Sequence, residues 1–272
     1  MSATSMPVER GLPVSVRAES ASWRIIDESW QPSVIHATRR ITGRVEVSAA
    51  DLLKRGPRRL VFRQETTVLE HPRVVVKAFP LDTLRHRWRH GKYGRAEAAN
   101  LLIARKRGLP VPRVLAFGWQ RQWGLVMWNA LLMECMNGRP MKEHLSTADA
   151  SAKRALLWRV LPLFRRIYET GCNHIDLGPH AILLGATAAE DCLIDFQYCR
   201  FLERPSPQTF AAQAGYFAWC LTTHWNLVPR DMVTEWFDAL LADLSLSNIP
   251  ELQQRFRHHL EHKASIQERL AH

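Results

Sequence analysis

Hydrophobic and polar positions change their period about halfway along this chain. Residues 59–69 (RLVFRQETTVL) alternate imperfectly and are rich in β-branched side chains. After Glu70-His71-Pro72, the run 73–79 (RVVVKAF) reads as a buried strand, so the two predict a hairpin. From Tyr93 to Arg107 the spacing turns helical, with Ala96, Ala99, Leu101, Leu102 and Ile103 on one face. Gly108 stops that helix, and Pro110 and Pro112 enforce an extended exit. Residues 114–117 and 125–136 predict two further strands, and Ser22 to Ile41, with Trp23 and Trp30, short strands or a packed extension. Residues 1–20 are polar, carry Pro7 and Pro13, and predict a flexible arm.

Gly138 and Pro140 break the pattern, which places a boundary near 137–141. Beyond it, Ser146 with Asp149 signals a helix start, and residues 150–170 are helical, interrupted by Pro162 and ended by Gly171. Two short apolar runs follow, Ala181 to Leu184 and Cys192 to Phe196, separated by a turn-like Gly185 to Asp191. The rest predicts helices at 208–224, 230–243 and 250–270. The plan is α+β: a β-rich first part (21–138) carrying one helix, and a helical second part (139–272).

Charge and cysteine content narrow the class. The 37 basic and 26 acidic side chains of the 272 residues leave +11, which calls for an anionic partner, surface or substrate. No run approaches the ~18 apolar residues of a membrane span. No secretory signal is visible, and five cysteines without a C-x-x-C pair suit a reducing cytosol. Much of the excess charge sits in 84–95 (LRHRWRHGKYGR), where Arg85, Arg87, Arg89 and Lys92 interleave with Trp88 and Tyr93. Such interleaving can bind single-stranded nucleic acid, but no RNP, zinc-finger or helix-turn-helix signature accompanies it, so no nucleic-acid partner is expected.

Four charged residues stand where phosphoryl transfer would need them. Lys77 interrupts an apolar strand, and a buried ammonium requires a partner; Glu97, on the following helix, is the obvious one. Such a pair can hold a lysine against nucleotide phosphates. Asp176 lies in HIDLGPHAILL and Asp195 in LIDF, and a hairpin of the two short apolar runs would bring both to one end. One carboxylate can then accept the proton of an acceptor hydroxyl while the other holds Mg²⁺.

The order strand Lys, helix Glu, break, long helix, His-x-Asp, Ile-Asp-Phe resembles the protein-kinase-like superfamily. It is most similar to the bacterial lipopolysaccharide core kinases, the Kdo and heptose kinases with the related InaA-like proteins. The carriers are VVVKAF, YGRAEAANLLIARKRGLPVPRVLAFG, LLMECMNGRP, GCNHIDLGPHAILL and CLIDFQYCRF, spread over about Arg59 to Phe201. The resemblance implies a two-lobed protein-kinase-like fold. It also implies an ATP- and Mg²⁺-dependent kinase phosphorylating a sugar hydroxyl of the lipopolysaccharide inner core, cytoplasmic or peripheral on the inner membrane. It assigns Lys77 to the phosphates, Glu97 to Lys77, Asp176 to the base, Asp195 to the metal and His174 to orienting the catalytic loop. Backbone groups of Glu134 and Met136 would meet the adenine edge.

The sequence departs from the pattern in places. Ala181 stands where a second metal ligand, usually Asn, is expected, although the family's heptose kinases also lack it. No glycine-rich phosphate loop precedes Lys77; Gly56-Pro57-Arg58-Arg59 is the segment available, its two arginines able to grip phosphates. These departures keep open an alternative, a pseudokinase binding nucleotide or lipid in envelope biogenesis. Ile175 and the short segment after Asp195 favour a small or glycolipid acceptor over a peptide. Arg85, Arg87, Arg89 and Lys92 are expected to meet phosphate-bearing core sugars or the anionic inner leaflet. Cys172, Cys192 and Cys199 read as small core residues.

Overall fold

The computed structural model describes residues 11–57, 59–81, 83–85, 87, 93–263 and 268–269. The chain forms two compact units, one running up to Arg105 and again over Pro112–Cys135, the other made of Lys106–Val111 and everything from Met136.

The first unit is built on an antiparallel sheet. Its strands are β1 (Val14–Ala18), β2 (Ala21–Ile25), β3 (Leu52–Gly56), β4 (Arg59–Glu65), β5 (Arg73–Pro80), β6 (Val114–Gln122) and β7 (Leu125–Glu134), in the spatial order β1-β2-β6-β7-β5-β4-β3. The hairpin expected at 59–79 is β4–β5, with Val61 opposite Lys77. β5 alternates faces as a strand must. Val74, Val76 and Ala78 enter a core with Trp23, Phe62 and Leu132, closed by Trp30, Val34 and Ala37 at helix α1 (Gln31–Ile41). Lys77 therefore points to the opposite face, toward helix α2 (Tyr93–Lys106).

Two expectations are revised in this unit, the second only in part. The flexible arm does not extend to residue 20: Val14–Ala18 pair with β2 along their length, and Leu12 is fully buried. Its first ten residues lie outside the described residues. Within 22–41 the chain is a strand and then a helix, because Asp27 turns it and Pro32 stands at the helix N-terminus, where its missing N–H costs nothing.

The second unit starts with β8 (Arg139–Pro140) and helix α3 (Met141–Thr147). Helices α4 (Ala150–Arg159) and α5 (Leu161–Glu169) follow, separate rather than one interrupted helix. Asp149 caps α4 by accepting from the Ala152 N–H at 2.8 Å, and Pro162 falls in the first turn of α5. Next come β9 (Cys172–His174), β10 (Ile182–Leu184), β11 (Cys192–Leu193) and β12 (Cys199–Phe201), in small sheets ordered β11-β10-β8 and β12-β9.

Helices α6 (Pro207–Trp219), α7 (Arg230–Asp243) and α8 (Pro250–Glu261) complete the unit. α8 is shorter than expected, and α6 passes into a π-helical turn at Cys220–His224. The core is aromatic: Phe164 of α5 meets Phe217 and Trp236 with centroids 4.8 Å away in both cases. Among the described residues no helix is long and apolar enough to cross a membrane.

Candidate functional site

In the first unit, the Lys77 Nζ lies 2.6 Å from the Glu97 Oε1, with side-chain exposures of 7% and 1%. Strand alternation aims Lys77 at α2, and α2 is anchored from the sheet: the Gly94 N–H donates to Asn129 Oδ1 at 2.9 Å. A Cβ on Gly94 would collide with that same side chain. Asn129, buried at 1%, was not singled out as functional from sequence. The only signal was one amide in an otherwise apolar strand.

Glu134 ends β7. Its N–H donates to the Arg113 carbonyl at 2.9 Å, and its Oε2 accepts from the Arg113 N–H at 3.1 Å. Its backbone donor is thus engaged, and Met136, two residues further on, is half-buried. Gly56 pairs with Arg59 between β3 and β4, and β4 lies next to the strand that carries Lys77. Arg58 lies outside the described residues, as do Arg89 and Lys92. Arg85 is exposed, whereas Arg87 is half-buried and donates from Nε to the Leu81 carbonyl at 2.9 Å.

In the second unit, His174 joins the segments that bear the two aspartates. Its fully buried ring bonds the Ile194 carbonyl through Nε2 at 3.0 Å, one residue before Asp195, and packs edge-on against Phe196 at 4.9 Å. Its Cα pairs with Cys199 across β9–β12, and the Ile175 N–H donates to Tyr198. Burial depresses the His174 pKa; the Ile194 carbonyl and the fields of Asp195 and Asp176 oppose that burial without overcoming it. The ring is neutral near pH 7, and both carboxylates are near enough to act on it.

Asp176 is 40% exposed at its side chain. Its Oδ1 accepts from the Tyr216 hydroxyl at 3.1 Å and lies 3.7 Å from Arg269 Nη1. The Arg269 guanidinium also donates to the Ile175 carbonyl and lies 3.9 Å over the Tyr216 ring, while the Arg269 backbone carbonyl accepts from Asn173 Nδ2 at 3.1 Å. Asp195 is half-buried and takes φ 69°, ψ 48°, a left-handed conformation that Asp tolerates better than most residues. The β10–β11 hairpin leading into it is tied down by Arg159, which binds Asp191 at 2.6 and 2.9 Å and the Gly185 carbonyl at 2.8 Å.

Tyr216, Arg269 and Arg159 had no motif to announce them, because each reaches its partner from a distant segment. Cys172 and Cys192 are buried as expected, but Cys199 is half-buried. Ala181 is fully buried, and His180 beside it packs against Trp225 at 5.3 Å.

Comparison with known proteins finds the likeness that the motifs imply. Residues 75–209 match the model of the Lipopolysaccharide kinase (Kdo/WaaP) family. A 3-deoxy-D-manno-octulosonic acid kinase of Xanthomonas axonopodis pv. citri (strain 306) is 41% identical over 93 residues, 34% of this chain. The match spans about a third (35%) of that relative's length. A solved structure of WaaP in complex with acyl carrier protein superposes with a TM-score of 0.53 at 13% identity, covering 82% of this chain and 91% of that one. The sequence matches point to the lipopolysaccharide kinase family, and the superposition shows a kinase-like fold.

Proposed function

We propose that this chain, matched to the lipopolysaccharide kinase family over residues 75–209, is an ATP-dependent kinase for a sugar hydroxyl of the lipopolysaccharide inner core. The observation that carries the reading is the buried Lys77–Glu97 pair, 2.6 Å apart. Burying two charges is expensive, and a hydrophobic pair would serve stability as well or better. A lysine held rigidly by a carboxylate is what polyphosphate binding requires.

In the first unit, Lys77 steadies the nucleotide phosphates, with Arg59 beside the preceding turn, and the Glu134–Met136 backbone meets adenine. In the second, Asp176 orients the acceptor hydroxyl and takes its proton. The hydroxyl oxygen bonds the γ-phosphorus as the bond to the β,γ-bridging oxygen breaks, and ADP leaves. Asp195 offers hard oxygen donors, which fits Mg²⁺, an ion usually held by one or two carboxylates together with substrate phosphates. When bound, that ion neutralises charge on the phosphates. His174, neutral and bonded to Ile194, holds the two aspartate segments in register. The basic residues Arg85 and Arg87 would face anionic sugars or the inner leaflet, placing the protein at the cytoplasmic membrane surface.

A second reading, a pseudokinase that binds nucleotide or lipid, is favoured by Ala181, whose fully buried methyl offers no ligand. The test is ³²P transfer from ATP to purified, dephosphorylated lipopolysaccharide core by wild type and Asp176→Ala. Transfer abolished in the variant supports the kinase. ATP binding without any transfer by wild type favours the second reading.

A further inference from the structure

Strand pairing gathers four connections at one end of the first unit's sheet. Ala21 stands opposite Gln120, Pro80 opposite Trp128 and Leu60 opposite Ala78. The β1–β2 turn at Glu19-Ser20, the β6–β7 turn at Trp123-Gly124, the exit of β5 at Leu81 and the β3–β4 connection after Gly56 therefore share that end.

Trp123 is the anomaly there. Gln122 pairs with Leu125 across a two-residue turn in which Trp123 takes φ 49° and Gly124 φ 78°. Two left-handed residues in succession suit a tight hairpin turn, and Asn-Gly is the pair that supplies them most readily. A bulky side chain at the first of these positions is disfavoured. Trp123 is also 90% exposed, so its ring gains nothing from the core in return. Strain without a packing gain points to a role outside the fold.

The surroundings of Trp123 define that role. Among the described residues five large apolar side chains are exposed, and three of them, Leu84, Trp123 and Leu125, stand at this end. Arg85 and Arg121 beside them are exposed, as is Arg55 near the end of β3. Within the four connections the acid among the described residues is Glu19, and it is already held by Arg39 at 3.0 Å and Arg44 at 2.7 Å. The far end of the sheet carries both signs, with Asp27, Glu28, Glu65 and Glu70 exposed alongside Arg63, Arg73 and Arg113. Apolar tips ringed by cations match an anionic bilayer. Cations near its surface meet headgroup phosphates, and an indole, apolar with one polar N–H, settles at headgroup depth.

We propose that this end of the sheet is a membrane-docking surface, in which Trp123, with Leu125 and Leu84, enters the headgroup region of an anionic bilayer while Arg85 and Arg121 meet its phosphates. This deepens the kinase reading above, whose acceptor is a glycolipid. The segment between Gly56 and Arg59, offered there to the nucleotide phosphates, lies at the same end, so docking turns it toward the lipid surface.

The full chain is sedimented with vesicles of phosphatidylcholine alone and of an equal mixture with phosphatidylglycerol. Binding should require the anionic lipid and weaken severalfold in high salt. Trp123→Asn installs the pair this turn prefers and so keeps the fold; it should weaken binding about tenfold, equivalent to ~1.4 kcal/mol. Arg85→Gln/Arg121→Gln should weaken it by a similar factor. Leu69→Ser, which removes a 95% exposed leucine from the far end, should change nothing. Lipids brominated along their acyl chains should quench tryptophan fluorescence in wild type and much less in Trp123→Asn. No binding of wild type to anionic vesicles, equal binding by Trp123→Asn, or a loss in Leu69→Ser as large as in Trp123→Asn overturns the docking surface. Self-association that depends on Trp123, without vesicle binding, overturns it in favour of a second copy of the chain. Vesicle binding as expected with no phosphoryl transfer to soluble core sugar overturns the kinase reading and leaves the docking surface standing.

Discussion

Tyr216 donates its hydroxyl hydrogen to Asp176 Oδ1 at 3.1 Å, across 40 residues of sequence. Burial, with lesser contributions from Cys220 and Asp176, holds the phenol above its ordinary value, so it is a neutral donor at any working pH. A hydrogen bond to a charged group contributes ~1.5–3 kcal/mol net. Because Asp176 is 40% exposed, water recovers part of that when the hydroxyl is removed. Tyr216→Phe keeps the ring and its stack on Trp219. It should lower kcat about tenfold with the KM for ATP unchanged, and lower the melting temperature by no more than about 4 °C. A kcat equal to wild type would place this bond outside the reaction.

The Lys77–Glu97 pair gives a test in which stability and function part company. Lys77→Met removes the cation from beside a carboxylate whose side chain is 1% exposed, and Glu97→Leu removes the anion from beside an ammonium whose side chain is 7% exposed. Breaking a buried pair from one side costs ~3–5 kcal/mol, whereas replacing both partners by apolar groups is often near neutral. Urea unfolding should therefore find each single variant strongly destabilised and Lys77→Met/Glu97→Leu recovering most of the loss. ATP affinity should stay low in all three variants. A double variant as unstable as the singles would mean that the pair's other neighbours, rather than its charges, set the cost.

His174 makes stability depend on pH in a definite direction. Its folded pKa is depressed, first by burial, so between that value and the unfolded value of ~6.5 the unfolded chain binds more protons. The contribution is complete above pH ~6.5 and is lost as pH falls toward the folded value, at no more than ~1.4 kcal/mol per pH unit. His36, also lowered, chiefly by burial and by Arg40 and Arg39, adds to the same trend. Denaturant unfolding from pH 7.5 to 5.5 should show wild type losing stability and His174→Gln, which cannot titrate, losing less. Parallel curves for the two proteins would show that other groups carry the acid sensitivity.

What the sequence made legible follows from the range of the interactions. Lys77 and Glu97 could be placed because each sits in a local run whose period fixes its element and face, whereas Asp176 and Asp195 lie in turns and were placed by their motifs. The break of α4–α5 near Pro162 and the Asp149 cap were readable for the same reason. α1 was not anticipated, since its buried residues, Ser33, Val34, Ala37 and Thr38, include two hydroxyls that weaken the apolar pattern. β1 was lost among polar residues because an edge strand buries only one side. Tyr216 and Arg269 were invisible as partners of Asp176, because packing of α6 and the C-terminal segment, not spacing, brings them there. The π-helical turn likewise depends on its surroundings rather than on any local signature.

Asn129 provides the remaining test, since it links sheet to helix where no motif foretold a link. Its Oδ1 accepts the Gly94 N–H at 2.9 Å, one of the backbone donors that the first turn of a helix leaves without an internal partner. Asn129→Leu keeps the branched four-atom side-chain skeleton but has no acceptor, so that N–H loses its partner in a buried setting, at a cost of ~1–3 kcal/mol. The loss should also reach Lys77, because Glu97 lies within the first turns of the helix that Asn129 anchors. The expected result is a lower urea midpoint and ATP affinity reduced severalfold, with Asn129→Asp, which retains the acceptor, restoring the affinity in part. Lower stability with unchanged ATP affinity would show that Asn129 only holds the helix and has no hand in setting the lysine.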